Sequence, residues 1–194
     1  MTEPGGESEF ERARRIAEER ALVESAKRGS KAAFETLYRN HVGKVYGLCL
    51  RMTAHRATAE DCTQEAFIQA WRSLPAFESR SAFGTWLHRI AVNAVLAQGR
   101  RRSERLGTAG SAEDEAAALP DPSVGDAGTV LDLEAGLRRL PAGARQALVL
   151  VGLYGYSHEE AAELLGVAVG TCKSQVHRAR QLLGERLAVT EVAR

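Results

Sequence analysis

Apolar residues recur every three or four positions through most of the chain, which is the spacing of an amphipathic α-helix. The first such stripe runs from Phe34 to Met52. A second helix is predicted to begin near Thr58, with Asp61 as its capping partner, and to run to Trp71. No stretch shows the strict alternation of a half-buried strand. The pattern therefore predicts an all-α fold.

The same pattern divides the chain into two helical domains. A third helix is predicted from Phe83 to Gly99, and the polar segment 104–130, rich in Gly, Ala, Ser, Pro and acids, has the composition of a flexible linker. Beyond it, a short helix stops at Pro141, which can open the next helix, ending at Gly155. The predicted parts are an extension (1–20), a first domain (21–103), an acidic linker (104–130), a second domain (131–187) and a tail (188–194).

The end of the second domain has the signature of a helix-turn-helix. Ser157 and Glu160 form an S-x-x-E capping box before a short apolar helix, and Gly166 supplies the turn. A second helix follows from about Val169 to Leu183. Its buried stripe is predicted to be Cys172, Val176, Ala179 and Leu183.

The polar side of this last helix has the chemistry of a major-groove contact. Short hydrogen-bonding groups and a guanidinium share one face, and basic groups flank it where phosphates would run. The face is Thr171, Ser174, Gln175 and Arg178, and the flanking residues are Lys173, His177 and Arg180. An ordinary solvated helix face is the alternative interpretation.

Charge is segregated although the net charge is only +1. Residues 1–19 have a net charge of −3, residues 20–103 of +8, residues 104–134 of −7 and residues 135–194 of +3. Two basic blocks around an acidic one favour two polyanion-binding domains on an acidic tether. Solvated helix faces with an acidic loop are the alternative.

The remaining composition points to a cytoplasmic protein without a cofactor. The three cysteines, Cys49, Cys62 and Cys172, form no CxxC pair and are predicted to be buried thiols. Neither they nor His41 and His55 have the spacing of zinc ligands, so no metal site is expected. No apolar run is long enough to span a bilayer, and no signal peptide is apparent, so no membrane insertion is expected.

Both domains resemble parts of one protein family. The segment YSHEEAAELLGVAVGTCKSQVHRARQLL resembles the promoter-binding fourth region of extracytoplasmic-function (ECF) sigma factors, within the sigma-70 family. The segments AFETLYRNHVGKVYGLC, AEDCTQEAFIQAWRSLPAF and SAFGTWLHRIAVNAVLAQGRRR resemble its second region, in order. The resemblance covers about residues 21–187. It implies a bacterial transcription initiation factor, not an enzyme, that binds core RNA polymerase, directs it to promoters and assists their opening.

The resemblance also implies roles for particular residues. The helix residues that match the segment docking on the polymerase clamp coiled coil are Asp61, Gln64, Glu65, Ile68 and Trp71. Those implied for the minus-ten element, where a melted strand needs π surfaces and cations, are Phe77, Arg80, Arg89, Asn93, Arg100, Arg101 and Arg102. Phe83 and Trp86 are predicted to belong to the core. The resemblance implies that the recognition helix binds the upstream, minus-thirty-five element. It also implies an anti-sigma factor as a further partner.

Two other functions compete with this one. A helix-turn-helix regulator acting without polymerase would have a similar second domain, but it would not need the first domain's acidic helix and aromatic-basic loop together. A small nuclease would need clustered carboxylates. Asp61 and Glu65 lie one helical turn apart, but no other acid or histidine is placed by sequence to join them.

Overall fold

The first domain is a bundle of four helices. The computed structural model describes residues 9–105 and 134–192, with side chains as far as 104 and 184. The helices are α1 (Glu9–Lys27), α2 (Lys31–Thr53), α3 (Arg56–Ser73) and α4 (Phe83–Arg105), with a 3₁₀ turn at Leu74–Ala76. Since α1 runs unbroken past position 20, residues 9–20 of the predicted extension belong to the first helix.

Local capping fixes the corners of this bundle. The Ser30 hydroxyl accepts a hydrogen bond from the Ala33 amide at the start of α2. At the end of α2, Ala54 adopts a left-handed conformation with φ of 56°. The next residue, His55, caps α3 by accepting from the Thr58 amide through Nδ1 at 3.3 Å. The predicted start of this helix was therefore two residues late, because histidine is an uncommon cap that sequence patterns underweight.

The predicted end of α4 at Gly99 was wrong. The helix continues through Gly99 to Arg105 and takes the first two residues of the predicted linker. A glycine inside a helix costs only about 1 kcal/mol, and the buried residues Ala94 and Val95 hold the preceding turn in the core. The rest of the linker and the segment 1–8 lie outside the described residues.

The second domain contains a helical turn at residues 134–138, α5 (Ala142–Leu148), α6 (His158–Leu165) and α7 (Val169–Val192). Pro141 precedes α5 as its N-cap rather than opening it. A π-helical turn, Val149–Leu153, continues α5 towards Gly155, whose φ is 72°. The described residues contain no strand, which confirms the all-α prediction.

One hydrophobic core runs through both domains. The largest fully buried side chains are Leu37, Leu48, Met52, Leu74, Leu87, Leu140 and Leu150. The domains also contact each other, since α5 packs on α2 and α6 packs on α4. In the part of the chain that the structure describes, no helix is long and apolar enough to cross a membrane.

Candidate nucleic-acid and protein interfaces

The helix-turn-helix is built by the local chemistry that the sequence indicates. The Glu160 amide donates to the Ser157 hydroxyl at 3.1 Å, and the Ser157 amide donates to the Glu160 carboxylate at 2.9 Å. This confirms the capping box. Gly166 has a φ of 68°, and its amide donates to the Glu163 carbonyl. The turn therefore directs α7 away from α6 at a fixed angle.

The recognition helix α7 has one buried and one open side. Its buried residues are Cys172, Val176, Ala179 and Leu183, as predicted. The predicted DNA-binding residues that are exposed are Thr171, Lys173, Ser174, His177, Arg178 and Arg180. The Ser174 hydroxyl donates to the Thr171 carbonyl at 2.9 Å, which leaves its oxygen lone pairs as acceptors.

Gln175 differs from the other residues of this face. Its side chain is half-buried against α5, where a Cβ added at Gly143 would lie 2.5 Å from the Gln175 Oε1. Gly143 therefore provides the space that lets the two helices approach. In this structure Gln175 joins α7 to α5, whereas Arg178 and Ser174 point to solvent.

The predicted protein-binding residues follow the outer side of α3. Asp61, Gln64 and Ile68 are exposed, and Ile68 keeps 38% of its surface accessible. Glu65 and Trp71 are half-buried. The Glu65 carboxylate accepts a hydrogen bond from the Gln69 amide nitrogen at 2.7 Å, which holds it along the helix.

The structure adds a groove that the sequence analysis missed. A groove of about 880 Å³ lies between α2 and α3, with Ile68 and Trp71 on one wall. The opposite wall consists of Phe34, Tyr38, Val42 and Tyr46 from α2. These four residues recur every fourth position, beside the core stripe that contains Leu37 and Val45, and this second stripe is the signal that could have found them. An apolar groove with acids and an amide at its edge suits a protein contact with a polar rim.

The loop between α3 and α4 presents charge rather than aromatic surface. Phe77 is only 7% exposed, and its ring lies 4.7 Å from that of Trp86 and 6.2 Å from that of Phe83. It therefore supports the loop from the core instead of facing solvent. Arg80 is exposed and pairs with Glu78 at 2.6 Å, and Ser79 between them has a φ of 56°.

Basic and polar groups continue along the outer side of α4. Arg89, Asn93, Arg100, Arg101 and Arg102 are all exposed. Arg89, Asn93 and Arg100 are four and seven residues apart, so they share one side of the helix. The cations on this side of α4 suit the phosphates of a nucleic-acid backbone.

The cysteines and histidines of the first domain that were considered as zinc ligands are buried or contact other groups. Burial raises the pKa of Cys49 to about 11 and that of Cys62 to about 12, so both remain neutral thiols. His41 is buried, and its Nε2 lies 2.8 Å from a Glu19 carboxylate oxygen. Within residues 9–105 and 134–192, no three histidine, cysteine or acidic side chains are grouped to hold a metal ion.

Comparisons with known proteins match both domains. Residues 37–105 match the family model for sigma-70 region 2, and residues 131–183 match that for sigma-70 region 4. The chain is 36% identical to the RNA polymerase sigma-H factor of Pseudomonas aeruginosa over 181 residues, covering 88% of this chain and 94% of that protein. It is 36% identical to the ECF RNA polymerase sigma-E factor of Escherichia coli K12 over 183 residues, covering 87% and 94%.

Two solved structures have similar folds. The sigma factor RpoE of Bartonella quintana, solved with the anti-sigma factor NepR, superposes with a TM-score of 0.58 at 30% identity, covering 80% of this chain and 97% of that one. CnrH, solved with the cytosolic domain of CnrY, gives a TM-score of 0.55 at 25% identity, covering 89% and 98%.

Proposed function

The chain belongs to the ECF sigma factors of the sigma-70 family, and from this membership we propose which of its surfaces performs each step of transcription initiation. As a sigma factor, it binds core RNA polymerase, directs it to promoters and assists their opening. The observation that carries the assignment of surfaces is that both matched regions present exposed polar or basic helix faces beside a buried core. No catalytic step is assigned to this chain.

Core polymerase binds the groove between α2 and α3. The clamp coiled coil is a helical partner, and an apolar groove accepts the apolar face of a helix. Ile68 and Trp71 would then contact apolar side chains of the clamp. Asp61, Gln64 and Glu65 lie along the same helix, where carboxylates can pair with basic groups of the partner.

The minus-ten element binds the loop 77–82 and the outer side of α4. Arg80, Arg89 and Arg100–Arg102 supply cations for the phosphates, and Asn93 supplies an amide for a base or phosphate. Phe77 maintains the loop from below because it is buried. A base leaving the stack would be held by the loop, which stabilises the melted strand.

The upstream element binds α7 in its major groove. Arg178 has the fork geometry for a guanine edge, and Thr171 and Ser174 are short enough to approach the bases. Lys173, His177 and Arg180 lie at the flanks and contact phosphates. Gln175 takes no direct part, since it packs on α5.

An anti-sigma factor is proposed as a further partner. The similar structure of RpoE is a complex with the anti-sigma factor NepR, and that of CnrH is a complex with the cytosolic domain of CnrY. A polymerase subunit acts on the chromosome, so the proposal places the chain in the bacterial cytoplasm. The helix-turn-helix regulator acting alone is not favoured, because the similarity extends over the first domain as well.

Transcription with purified components tests the proposal. The chain and core polymerase together should give discrete run-off transcripts from fragmented genomic DNA of the source bacterium, whereas core enzyme alone should not. In a gel shift, a promoter fragment should be retained by the holoenzyme and only weakly by the free chain. Strong, specific retention by the free chain without transcripts would instead indicate a regulator that acts without polymerase.

A further inference from the structure

A glycine of α5 lies against the recognition helix α7 at a point where a larger side chain would collide with it. A Cβ added at Gly143 would lie 2.5 Å from the Gln175 Oε1 and 2.8 Å from its Nε2. Both distances are well inside van der Waals contact. The carboxamide of Gln175 therefore occupies the volume that an alanine methyl group would fill at position 143.

The backbone at this position does not itself require glycine. Gly143 is the second residue of α5, within the helix, and it is not among the glycines with a positive φ. Alanine would favour the helix more strongly than glycine does. The close approach of Gln175 therefore accounts for a glycine here, whereas backbone conformation does not.

The backbone of α7 is held closely in this region, so the Gln175 side chain is the part that can move. Val176 and Ala179 of α7 are buried in the core. Further along the helix, a Cβ added at Gly136 would lie 2.6 Å from the Leu183 Cδ2, so α7 is tightly packed there too. In contrast, the carboxamide ends a flexible side chain, and it forms no hydrogen bond with the part of the chain that the structure describes.

Gln175 lies at the boundary between the buried and the exposed side of α7. By helical geometry it is about a fifth of a turn from the middle of the buried stripe, and about the same from the middle of the exposed face. That face contains the side chains proposed to contact bases, which are Thr171, Ser174 and Arg178. A carboxamide displaced from α5 would therefore move towards the bases.

We propose that Gly143 determines the base preference of the recognition helix, acting through Gln175 rather than by a contact of its own. Its missing side chain lets the Gln175 carboxamide lie against α5 and so keeps it out of the major groove. Gly143→Ala would displace the carboxamide to the exposed face, where its oxygen can accept from the adenine N6 amino group while its nitrogen donates to N7. This inference rests on the proposed function, because it requires α7 to lie in the major groove.

Binding of the holoenzyme to a promoter fragment tests the proposal. The fragment is one that gives a run-off transcript, and each position of its upstream element carries each of the four bases in turn. Gln175→Ala in the parent chain should leave the base preference unchanged at every position. Gly143→Ala should create a preference for adenine at one position of about fivefold or more, as expected for one bidentate contact.

Two further variants assign the new preference to the Gln175 side chain. Gly143→Ala combined with Gln175→Ala should lose the preference for adenine, because the carboxamide is gone. Gly184→Ala is the matched control, since it makes the same change in α7 where an added Cβ meets nothing within 4 Å, and it should leave the base preference unchanged. A preference that persists in the double variant would mean that Gly143→Ala moves the backbone of α7, and it would overturn the proposal.

NMR on the free chain measures the position of the carboxamide without polymerase or DNA. The side-chain amide protons of Gln175 should show nuclear Overhauser effects to the α-protons of Gly143 in the parent chain. In Gly143→Ala the effects to residue 143 should be lost, while circular dichroism should show unchanged helicity. Absence of these effects in the parent chain would overturn the proposal, whatever the base preference of the variants.

The outcomes of the binding measurement separate this proposal from the proposed function. If the parent holoenzyme shows no base preference at any position of the upstream element, α7 does not bind in the major groove, and both are overturned. If the parent shows a preference and Gly143→Ala shows the same one, only the role of Gly143 is overturned. A changed preference in Gln175→Ala alone would also overturn that role, because Gln175 would then already contact a base.

Discussion

On α7, exposed side chains on different sides of the helix should make different kinds of contact with DNA. Arg178 shares a face with Thr171 and Ser174, so Arg178→Ala should cost about 1–3 kcal/mol on the preferred upstream element and relax discrimination at one base pair. Lys173→Ala should weaken binding to all sequences alike and reduce the salt slope by about one. Holoenzyme binding to base-substituted upstream elements, at several salt concentrations, measures both effects.

The opposite pattern of effects would indicate a different orientation of α7 on DNA. If Arg178→Ala weakens every sequence equally while Lys173→Ala changes base preference, α7 lies rotated in the groove relative to the proposal. If neither substitution changes the affinity of the holoenzyme for any upstream element, α7 does not face DNA.

Single residues show where sequence patterns reach their limit. Helical periodicity placed Gln175 with Arg178, but the depth to which Gln175 is buried depends on Gly143, 32 positions earlier. The family resemblance implied that Phe77 contacts the melted minus-ten strand, yet it packs on Phe83 and Trp86. A periodic pattern gives the direction of a side chain along its own helix, whereas burial also depends on distant neighbours.

At the scale of the element, α3 should determine affinity for polymerase. Reversing charge at Asp61 and Glu65 with lysine should cost about 2–5 kcal/mol of core-enzyme affinity if these groups meet cations in a desolvated patch. Helicity and melting temperature should change little, since Asp61 is exposed and the hydrogen bond of Glu65 with Gln69 lies within α3. A pull-down with core enzyme measures the effect, with Glu163→Lys as the control on α6. Unchanged affinity would remove α3 from the interface.

The loop before α4 should be needed for strand opening but not for binding polymerase. Because Phe77 belongs to the core, a replacement of the loop must keep it. Replacing residues 78–82 with a Gly/Ser linker should remove the loop side chains proposed to hold the captured base. Permanganate footprinting should then show loss of thymine reactivity at the minus-ten element, while core binding persists. Normal reactivity would show that the loop does not hold the base.

Elements with local signals could be predicted, and those set by packing could not. The capping box at Ser157 and the left-handed Gly166 involve residues within four positions of one another, so the helix-turn-helix could be predicted closely. The end of α4 could not, because packing of Ala94 and Val95 outweighs the low helix propensity of Gly99. The α2 wall of the groove between α2 and α3 was missed because its apolar stripe lies directly beside the core stripe of the same helix, and the sequence pattern does not separate the two.

At the scale of the whole molecule, the placement of the domains has no local signal. Arg145 lies in an apolar helix, and its partners in the other domain are main-chain carbonyls at the end of a helix. Every residue has a main-chain carbonyl, so the amino-acid sequence does not indicate which carbonyls accept a hydrogen bond from a distant side chain. Only the assembled structure shows that Arg145 of α5 donates to carbonyls at the end of α2.

The packing of His88 of α4 between Tyr154 and Tyr156 of the second domain should weaken as the pH falls. Burial lowers the pKa of His88 to about 4, and the pKa should return towards 6.5 when the two domains separate. The packed arrangement of the domains is therefore fully favoured above about pH 6.5 and loses stability down to about pH 4, because the separated arrangement binds the proton more readily. Arg89 and Glu160 are the charged groups beside the Tyr156 hydroxyl. Since His88 is only partly buried, we expect the ratio of separated to packed chains to rise on the order of tenfold between pH 7.5 and pH 5.

Electron paramagnetic resonance distances between spin labels at Lys31→Cys on α2 and Glu163→Cys on α6, both exposed positions, measure this ratio. Titration of the His88 ring signals by NMR measures its pKa directly. His88→Phe is the control, because phenylalanine keeps an aromatic ring between Tyr154 and Tyr156 but cannot take up a proton. In that variant the distances should be independent of pH over the same range. Equal pH dependence in His88→Phe and the parent chain would assign the effect to another group, and an ordinary His88 pKa in the free chain would mean that the ring is not buried between the domains in solution.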